Sequence, residues 1–389
     1  MERFDVVVLG AGAAGLFAAM RAGQRGRRVL LLDHADEAGK KILISGGGRC
    51  NFTNLGCAPD RFISADPRFA RAALARYRPA DFVALVQKHS IAFHEKTLGQ
   101  LFCDGSARQI VAMLLAECEA AGVEIRLGDR IGDVAAGFRI GTARGDVGCS
   151  SLILATGGLA IPKMGATGLS HRIARQFGLA LVETRPGLVP LTFGGADLEM
   201  MQPLAGVALP VVAVAGGKRF EEALLFTHRG LSGPAVLQAS SYWRQGEAIA
   251  FNLLPGLDAG AALLAMKRER PRLAAHNGLT GLLPARLAAA LAERHLPPRT
   301  LAEIPDRALH ALAETLKHWR LMPMGDEGHA KAEVTLGGIA TAGLDPRDCQ
   351  ARTVPGLFAV GEAVDVTGWL GGYNFQWAWA SGWVAGEAA

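Results

Sequence analysis

The chain of 389 residues is 50% hydrophobic and 20% charged, a balance that excludes an intrinsically disordered protein. Its 41 Lys and Arg residues barely outnumber its 36 Asp and Glu residues, so the formal net charge is only +5. No long basic run is present, and we therefore expect a small-molecule substrate and no nucleic-acid partner. Composition leaves the oligomeric state open.

The cysteines and the N-terminal apolar run bear on metal binding and location. The six cysteines form no C-x-x-C pair and no histidine lies at zinc-ligand spacing, so we expect no metal site and a reducing, cytoplasmic location. The apolar run Val6–Met20 follows Glu2, Arg3 and Asp5 instead of a basic leader, and it is shorter than the ~20 residues of a membrane span. We expect neither an export signal nor a membrane segment.

The N-terminus has the pattern of a βαβ unit. An apolar strand is predicted at Phe4–Leu9, a helix at Leu16–Ala22 and a second buried strand at Arg28–Leu32, which ends at Asp33. The unit is about 30 residues long, which is typical of one half of a nucleotide-binding domain.

A G-x-G-x-x-G motif connects the first strand to the helix. Gly10 permits the tight turn, Gly12 lets the backbone approach a pyrophosphate, and Gly15 lets helix and strand pack closely. The phosphates then lie at the helix N-terminus, and Asp33 accepts hydrogen bonds from an adenosine ribose. The residues predicted to bind the dinucleotide here are Gly10, Gly12, Ala13, Ala14, Gly15, Asp33 and His34.

A second glycine-rich segment, SGGGRCN, starts at Ser45. Consecutive glycines let the backbone lie flat against a flavin, and Arg49 or Lys41 can balance the charge of a pyrophosphate or reduced flavin. A plain surface turn is the alternative, and Cys50 suits a small packing residue better than a thiol partner of the flavin. The predicted cofactor-binding residues of this segment are Lys41, Ser45, Gly46, Gly47, Gly48, Arg49, Cys50 and Asn51.

The residue pattern of the chain changes near Pro186, where short β-rich segments separated by Gly and Pro begin. We predict an FAD-binding domain made of residues 1–186 and 330–389. The inserted domain, residues 187–329, is predicted to be β-rich over 187–254 and helical over 255–329.

Two more strand ends complete the predicted FAD site. A buried strand closes on Thr156, and a last strand, Leu357–Val360, is followed by Gly361 and Glu362. The Gly371–Gly372 turn opens a helix whose N–H groups can stabilise the negative charge of a reduced isoalloxazine. The cofactor-binding residues predicted here are Ala155, Thr156, Gly157, Gly361, Glu362, Gly372, Asn374 and Phe375.

No second G-x-G-x-x-G motif occurs in the middle of the chain, so we expect NAD(P)H to dock transiently as the electron donor. The sequence does not determine the catalytic residues, and the candidates are His228, Arg49 and Tyr373. His228 is equally compatible with a turn residue, and Tyr373 with an aromatic side chain packed at a helix start.

Four motifs together resemble the BaiN-type (YhiN-like) family of NAD(P)/FAD-dependent oxidoreductases. They are GAGAAG from Gly10, SGGGRCN from Ser45, FTH with SGP between Phe226 and Pro234, and GGYNFQW from Gly371. The resemblance implies an α/β, Rossmann-like FAD-binding domain of the two-dinucleotide-binding-domain flavoprotein type, with an inserted β-barrel-like and helical domain. The activity named in that family is reduction of a conjugated C=C bond in an oxo-steroid. Asp33 departs from the glutamate that is usual in the class.

The leading hypothesis is an FAD-dependent oxidoreductase that transfers hydride through flavin N5, as a reductase of an activated C=C bond that uses NAD(P)H. An FAD-dependent RNA-modifying enzyme is the alternative, because some of these enzymes share the fold and a mildly basic charge. A flavin-bound redox sensor or scaffold without catalysis is the third hypothesis.

Overall fold

The computed structural model describes all 389 residues, which separate into two compact units. Unit 1 comprises Met1–Arg185 and Val334–Ala389, and unit 2 is Pro186–Glu333. Unit 2 extends a few residues beyond the predicted boundary at 329, because the Glu333 N–H donates to the carbonyl oxygen of Leu188 at 3.2 Å.

The strands, in chain order, are β1 (Glu2–Leu9), β2 (Val29–Leu32), β3 (Asn51–Asn54), β4 (Phe62–Ile63), β5 (Phe93–Glu95), β6 (Gln100–Cys103), β7 (Glu124–Arg126), β8 (Ile131–Ala135), β9 (Arg139–Thr142), β10 (Val147–Leu154), β11 (Leu181–Gly187), β12 (Leu191–Thr192), β13 (Ala208–Ala215), β14 (Lys218–Thr227), β15 (Gly230–Ser232), β16 (Ile249–Asn252), β17 (Trp319–Leu321), β18 (Gly325–Asp326), β19 (Val334–Ile339), β20 (Leu357–Ala359) and β21 (Thr367–Gly368). The α-helices are α1 (Ala13–Gln24), α2 (Lys40–Ile44), α3 (Ala70–Arg76), α4 (Pro79–Lys88), α5 (Arg108–Ala120), α6 (Leu169–Gln176), α7 (Gly195–Met201), α8 (Pro234–Ser240), α9 (Ala259–Glu269), α10 (Ala285–His295), α11 (Asp306–Lys317) and α12 (Tyr373–Ala388). None of these helices has both the length and the apolar character needed to cross a bilayer.

Unit 1 is built on a parallel sheet in the order β7-β2-β1-β10-β20, to which the β8–β9 hairpin adds at β10. The residues Val6–Leu9 and all of β2 are buried, as expected for parallel strands that are covered on both faces. A short antiparallel sheet, β3-β6-β5, belongs to the same unit.

The helices α1 and α12 pack against each other so closely that their backbones touch. A Cβ added at Gly382 would lie 2.5 Å from the carbonyl oxygen of Ala14, and one at Gly386 would lie 2.5 Å from that of Ala18. Beside this contact the indole of Trp379 stacks on the ring of Phe82, with centroids 4.4 Å apart. Tight packing therefore fixes the position of α1, the helix that follows the glycine motif.

Unit 2 is a seven-stranded antiparallel sheet in the order β17-β16-β13-β14-β15-β12-β18, with helices packed on it. The short strands β17 and β18 lie at the two ends of this pairing path, yet only residues 322–324 separate them in the chain. Four residue steps span at most ~14 Å, whereas a flat sheet of seven strands would be ~29 Å wide. The sheet is therefore curled into a barrel-like shape, which agrees with the β-barrel-like insertion implied by the family resemblance. Its core includes Phe251 and Trp319, whose ring centroids are 6.0 Å apart.

We predict that Gly382→Ala destabilises the protein although alanine favours helix. The added methyl group would overlap the α1 backbone, and overpacking of this kind costs about 1–3 kcal/mol, more than the ~1 kcal/mol that helix propensity returns. Thermal unfolding measured by circular dichroism should show a lower Tm. The matched control is Gly281→Ala, whose Cβ would meet only the flexible end of Met266 at 3.7 Å and should change stability by less than about 0.5 kcal/mol. Equal Tm values for the two variants would contradict the packing argument.

Candidate functional site

Four of the predicted segments meet at the carboxyl edge of the parallel sheet. In the register of the sheet Leu9 of β1 lies beside Leu32 of β2 and Leu154 of β10, and Leu154 lies beside Ala359 of β20. The residues that follow these strands, among them Gly10, Asp33, Ala155 and Gly361, therefore lie side by side. This edge is where open α/β sheets bind their ligands.

The three glycines of the first motif have different surroundings. A Cβ at Gly10 would lie 2.5 Å from the carbonyl oxygen of Ala155, and one at Gly15 would overlap the carbonyl oxygen of Gly10. A Cβ at Gly12 would have no heavy atom within 4 Å. Gly10 and Gly15 are thus required by packing within the protein, whereas the absence of a side chain at Gly12 leaves space in front of the helix.

The N-terminus of α1 has the donors that a phosphate needs. Gly12 is the N-cap residue with extended backbone dihedrals, and no side chain caps the helix or places a carboxylate in its first turn. The first N–H groups of a helix have no partner within it, and the helix dipole adds positive potential. The residues present therefore fit a dinucleotide pyrophosphate, with Ala13 and Ala14 among those that would hold it.

Asp33 is held in place by the backbone on both sides. Its Oδ2 accepts a hydrogen bond from the Ala11 N–H at 2.6 Å, its Oδ1 accepts one from the Ala35 N–H at 2.9 Å, and the His34 ring nitrogen Nδ1 lies 3.4 Å from Oδ1. The side chain is still 16% exposed, and a carboxylate can accept about four hydrogen bonds. The carboxylate is therefore both fixed and able to receive a ribose hydroxyl.

The SGGGRCN segment folds as a tight left-handed turn after α2. Gly46, Gly47 and Gly48 have φ values of 57°, 66° and 84°, and Cys50 follows with φ 52°. Gly46 and Gly47 are exposed, while Cys50 is fully buried. The turn therefore presents backbone outwards and anchors itself through the buried thiol side chain.

The end of this segment contacts the start of α12, more than 300 residues away in the chain. Gly372, the N-cap of α12 at φ 95°, lies so close to β3 that an added Cβ would be 2.9 Å from the side-chain amide of Asn51 and would overlap the carbonyl oxygen of Thr53. Asn54 donates from Nδ2 to the carbonyl oxygen of Gly371 at 2.7 Å. The structure thus places the end of the SGGGRCN segment in contact with the start of the GGYNFQW motif.

The side chain of Asn374 holds the loop before α12. Its Oδ1 accepts from the Gly368 N–H at 2.8 Å, and its Nδ2 donates to the Gly368 carbonyl oxygen at 3.0 Å. No side chain caps the N-terminus of α12, so its first N–H groups form a second set of backbone donors. Any contribution of Asn374 and Phe375 to a flavin would come from these backbone groups.

An ion pair joins helix α2 to the turn that follows β20. The Lys41 ammonium lies 2.6 Å from Glu362 Oε2, and Glu362 Oε1 accepts from the Thr335 N–H at 3.0 Å. Thr335 Oγ1 in turn accepts from the N–H groups of Leu159 and Ala160 at 2.7 and 3.0 Å. Lys41 and Glu362 therefore belong to a network that fixes the loop after β10.

Several residues of the site had no local signal in the sequence. Ser381 Oγ accepts from the Gly361 N–H at 3.0 Å, and Ser170 Oγ lies 2.7 Å from Thr156 Oγ1. Both serines lie inside helices, and only the three-dimensional contacts reveal them as supports for the loops that follow β20 and β10.

The three catalytic candidates differ in their surroundings. Arg49 is exposed at the end of the glycine turn, and Tyr373 is buried with its ring 6.2 Å from that of Phe62 in an edge contact. His228 belongs to unit 2, at the exposed turn between β14 and β15. The packing of Tyr373 favours the structural interpretation of that residue, and the assignment of a catalytic group stays a prediction.

Cys50 has a second cysteine beside it in space. Asn51 pairs with Phe102 across β3 and β6, and the Cys103 N–H donates to the Arg49 carbonyl oxygen at 3.0 Å, so Cys103 is its neighbour. Burial raises the pKa of the Cys50 thiol far above its usual range and the pKa of Cys103 to about 11. Both thiols are therefore protonated at neutral pH, which favours packing over a nucleophilic role.

Comparison with known proteins identifies the family. A family model described as the HI0933-like protein Rossmann domain matches residues 4–388, so the chain belongs to this family. The solved structure of the open conformation of a flavocytochrome c3 fumarate reductase covers the whole chain and 78% of its own length, with a TM-score of 0.50 at 18% identity, and shows the same fold. The predicted α/β fold with a Rossmann-type FAD-binding domain is confirmed, and the chain is an FAD-dependent oxidoreductase.

Three relatives match over the whole chain. A protein of Escherichia coli K12 named ribosomal RNA dihydrouridine synthase is 52% identical over 100% of this chain and 98% of its own length. A Haemophilus influenzae protein of the same name is 42% identical, covering 97% and 96%. The 3-dehydro-bile acid delta(4,6)-reductase of Clostridium scindens is 30% identical, covering 98% of each chain. The predicted resemblance to the bile-acid reductase type is confirmed at the level of the family, whereas the two more similar relatives bear a different name.

We predict that Gly12→Leu yields a folded protein that does not retain FAD. The leucine side chain would enter the space in front of α1 without meeting protein atoms, so folding should be kept while the place of the pyrophosphate is filled. Flavin absorbance of the purified protein and Tm together test this. The comparison variant is Gly15→Leu, which should lower Tm as well, because its Cβ would overlap the Gly10 carbonyl oxygen. Retention of stoichiometric FAD by Gly12→Leu would show that the cofactor binds elsewhere.

A second prediction concerns thiol reactivity. Burial raises the pKa of Cys57, Cys118 and Cys149 to about 12, and that of Cys103 to about 11. At pH 8 a thiol of pKa 11 is only ~0.1% thiolate, against about a quarter for a free cysteine. The native protein should therefore react with Ellman's reagent at least ~100-fold more slowly than the guanidinium-unfolded chain, and the rate should rise with pH up to 10. A single fast-reacting thiol in the native state that Cys50→Ser removes would contradict the packing role of Cys50.

Proposed function

We propose that this member of the HI0933-like Rossmann family reduces the C5=C6 double bond of a uridine in ribosomal RNA, giving dihydrouridine. The observation that carries the proposal is likeness over the whole chain, at 52% and 42% identity, to two relatives named ribosomal RNA dihydrouridine synthase. At this coverage both compact units have counterparts in those relatives.

The chemistry agrees with the hypothesis drawn from the sequence. The C5=C6 bond of uracil is conjugated with the C4 carbonyl, so hydride adds at C6 and a proton adds at C5. A bile acid with a 3-oxo group and a conjugated double bond, the substrate type in the name of the 30% relative, is activated in the same way. The two hypotheses from the sequence, reduction of an activated C=C bond and modification of RNA, thus describe one reaction.

The electron donor and the net reaction are part of the proposal. Bound FAD, once reduced, supplies the hydride, and NAD(P)H is the proposed donor that reduces it. The net reaction converts uridine, NAD(P)H and a proton into dihydrouridine and NAD(P)⁺. The absence of a second glycine motif in the chain supports transient docking of the nicotinamide.

The residues of unit 1 have proposed roles in holding the cofactor. We assign the pyrophosphate to the uncapped start of α1, and the adenosine ribose to Asp33. The second uncapped helix start, at Gly372, is assigned to the pyrimidine edge of the flavin, where helix N–H groups stabilise negative charge. Arg49, exposed beside the glycine turn, is available to pair with an anionic part of the cofactor or substrate.

An RNA substrate reverses the expectation drawn from composition. Net charge is a sum over the whole chain and does not show where cations gather, so +5 is compatible with a local cationic surface. The absence of a nucleic-acid partner is not confirmed by the relatives, and we propose the opposite.

A second candidate is a reductase of small conjugated ketones, which the 30% likeness to the bile-acid enzyme favours. It shares the cofactor, the donor and the bond type with the first candidate. The two candidates differ only in the molecule that contains the double bond, which is a uridine in RNA or a small ketone. A single assay that offers both molecules as hydride acceptors therefore distinguishes them.

We predict that the FAD-loaded protein and NADH or NADPH form dihydrouridine in ribosomal RNA transcribed in vitro. Anaerobic bleaching of the flavin by each nicotinamide is measured first, and digested RNA is then analysed by mass spectrometry for a uridine heavier by two hydrogens. A 3-oxo-4-ene steroid is offered in a parallel reaction. The Gly12→Leu protein is the matched control, since it should fold but lack FAD and form no product.

Each outcome decides between the candidates. Product in RNA with no turnover of the steroid supports the first proposal. Steroid turnover with unmodified RNA supports the second and rejects the first. A flavin that neither nicotinamide bleaches excludes NAD(P)H as the donor.

A further inference from the structure

One face of the unit 2 sheet carries cations on both sides of an apolar strip. In the register of the sheet Val214 of β13 lies opposite Arg219 of β14 and Ala250 of β16, and Ala250 lies opposite Arg320 of β17. Directly opposed residues of antiparallel strands point to the same face, so these four side chains form one row across four strands.

A second row runs beside the first. Val212 lies opposite Glu221 of β14 and Asn252 of β16, and the register of β16 with β17 places His318 next to Asn252. The other face of these strands is the core, because Ala213 and Phe251 are fully buried. The two rows therefore belong to the outer face of the sheet.

The rows enclose a pocket of about 120 Å³, which we name the sheet groove. Its floor is formed by Val212, Val214 and Ala250, with Asn252 beside them, and its cationic walls are Arg219 on one side and Lys317 and His318 on the other. Arg320 extends the second wall along its row. Arg219, Lys317, His318 and Arg320 are all exposed.

Positive charge exceeds negative charge around the groove. His318 faces Glu314 at 3.7 Å, and Glu221 is the carboxylate in the rows themselves. Arg219, Lys317 and Arg320 form no ion pair within the chain. The three unpaired cations Arg219, Lys317 and Arg320 outnumber the two carboxylates Glu221 and Glu314, one of which faces His318, so the surface attracts anions.

The spacing of the cations fits an extended polyanion better than a single phosphate. Arg219 and Arg320 lie three strand spacings apart, which is ~14 Å at about 4.8 Å per spacing. One inorganic phosphate would contact both only if both long side chains bent inwards across the apolar floor, whereas successive phosphates of a nucleic-acid strand meet them in extended conformations. Phe251 also lines the groove, but its side chain is fully buried and packs on Trp319 in the core, so no aromatic ring is exposed on the floor as a platform for base stacking.

We propose that the sheet groove binds the phosphodiester backbone of a single-stranded segment of RNA. This inference rests on the proposed function in naming RNA as the polyanion, and it adds a binding site in unit 2 to the cofactor site in unit 1. The contacts are independent of base sequence, and their strength depends on salt because each neutralised phosphate releases counterions.

The test uses the FAD-loaded protein and a fluorescein-labelled oligouridylate of 12 nucleotides. Fluorescence anisotropy gives its Kd between 25 and 200 mM KCl for the wild type and for the triple variant Arg219→Ala, Lys317→Ala, Arg320→Ala. We expect at least a tenfold weaker Kd at low salt. The slope of log K against log [KCl] should flatten by about 2, because each single-strand phosphate contact contributes ~0.7.

A matched control removes the same charge elsewhere. Arg68, Arg71 and Arg130 are exposed in unit 1, and their triple alanine variant should bind the oligonucleotide as the wild type does. Flavin content, Tm and the rate of flavin reduction by NAD(P)H are expected to be unchanged in both triple variants, which excludes misfolding as the cause.

The proposal is overturned if the groove variant keeps the wild-type Kd and salt slope, or if both triple variants weaken binding equally. It is also overturned if inorganic phosphate, at equal phosphate concentration, displaces the oligonucleotide as well as unlabelled oligouridylate does, since that identifies a free-anion site. Loss of binding in the groove variant alone, with no dihydrouridine formed by the wild type, supports the groove and rejects the proposed reaction. Dihydrouridine formation with an unchanged KM in the groove variant supports the reaction and rejects the groove.

Discussion

The site depends on one constraint: the first turn of α1 is in such close contact with neighbouring backbone that only glycines fit at the contact positions. The Gly10 carbonyl occupies the place that a side chain at Gly15 would need, the carbonyl oxygen of Ala14 lies against Gly382, and the Ala14 methyl group lies against Gly361. These glycines come from the first motif, from the end of β20 and from the middle of α12. Their lack of side chains lets three distant parts of the chain come close enough to hold the helix N-terminus at the edge of the sheet.

Polar side chains hold the loops of the site in place, in addition to the close packing of the helices. Thr335, Ser381 and Asn54 each satisfy backbone groups of a loop that carries predicted cofactor contacts. A loop whose backbone groups are already paired within the protein does not need to rearrange when a ligand arrives, which reduces the entropic cost of binding. The uncapped starts of α1 and α12 are the complementary feature, because their donors are left for a ligand.

The proposed reaction divides the work between the two units. Unit 1 has the uncapped start of α1 and the anchored carboxylate of Asp33, which fit a dinucleotide and have no features specific to a polymer. Unit 2 has the sheet groove, whose cations are spread along a row and are suited to a chain of phosphates. An enzyme acting on one base of a large RNA needs both kinds of contact, because the reacting base alone offers little binding energy compared with the phosphate backbone.

The sequence alone determined those features that depend only on residues close together in the chain. An apolar strand followed at once by G-x-G-x-x-G, and a second strand ending at Asp33, predict a Rossmann domain because strand, turn and helix start are local. Tertiary structure alone decided that Asn51 meets Gly372, that Lys41 pairs with Glu362, and that Arg219 and Arg320 share a face of one sheet. The order and register of strands far apart in the chain bring these residues together, and register is set by packing of the whole sheet and not by local periodicity. For the same reason the net charge of the chain gave no sign of the groove: it sums the charges and does not record where they lie.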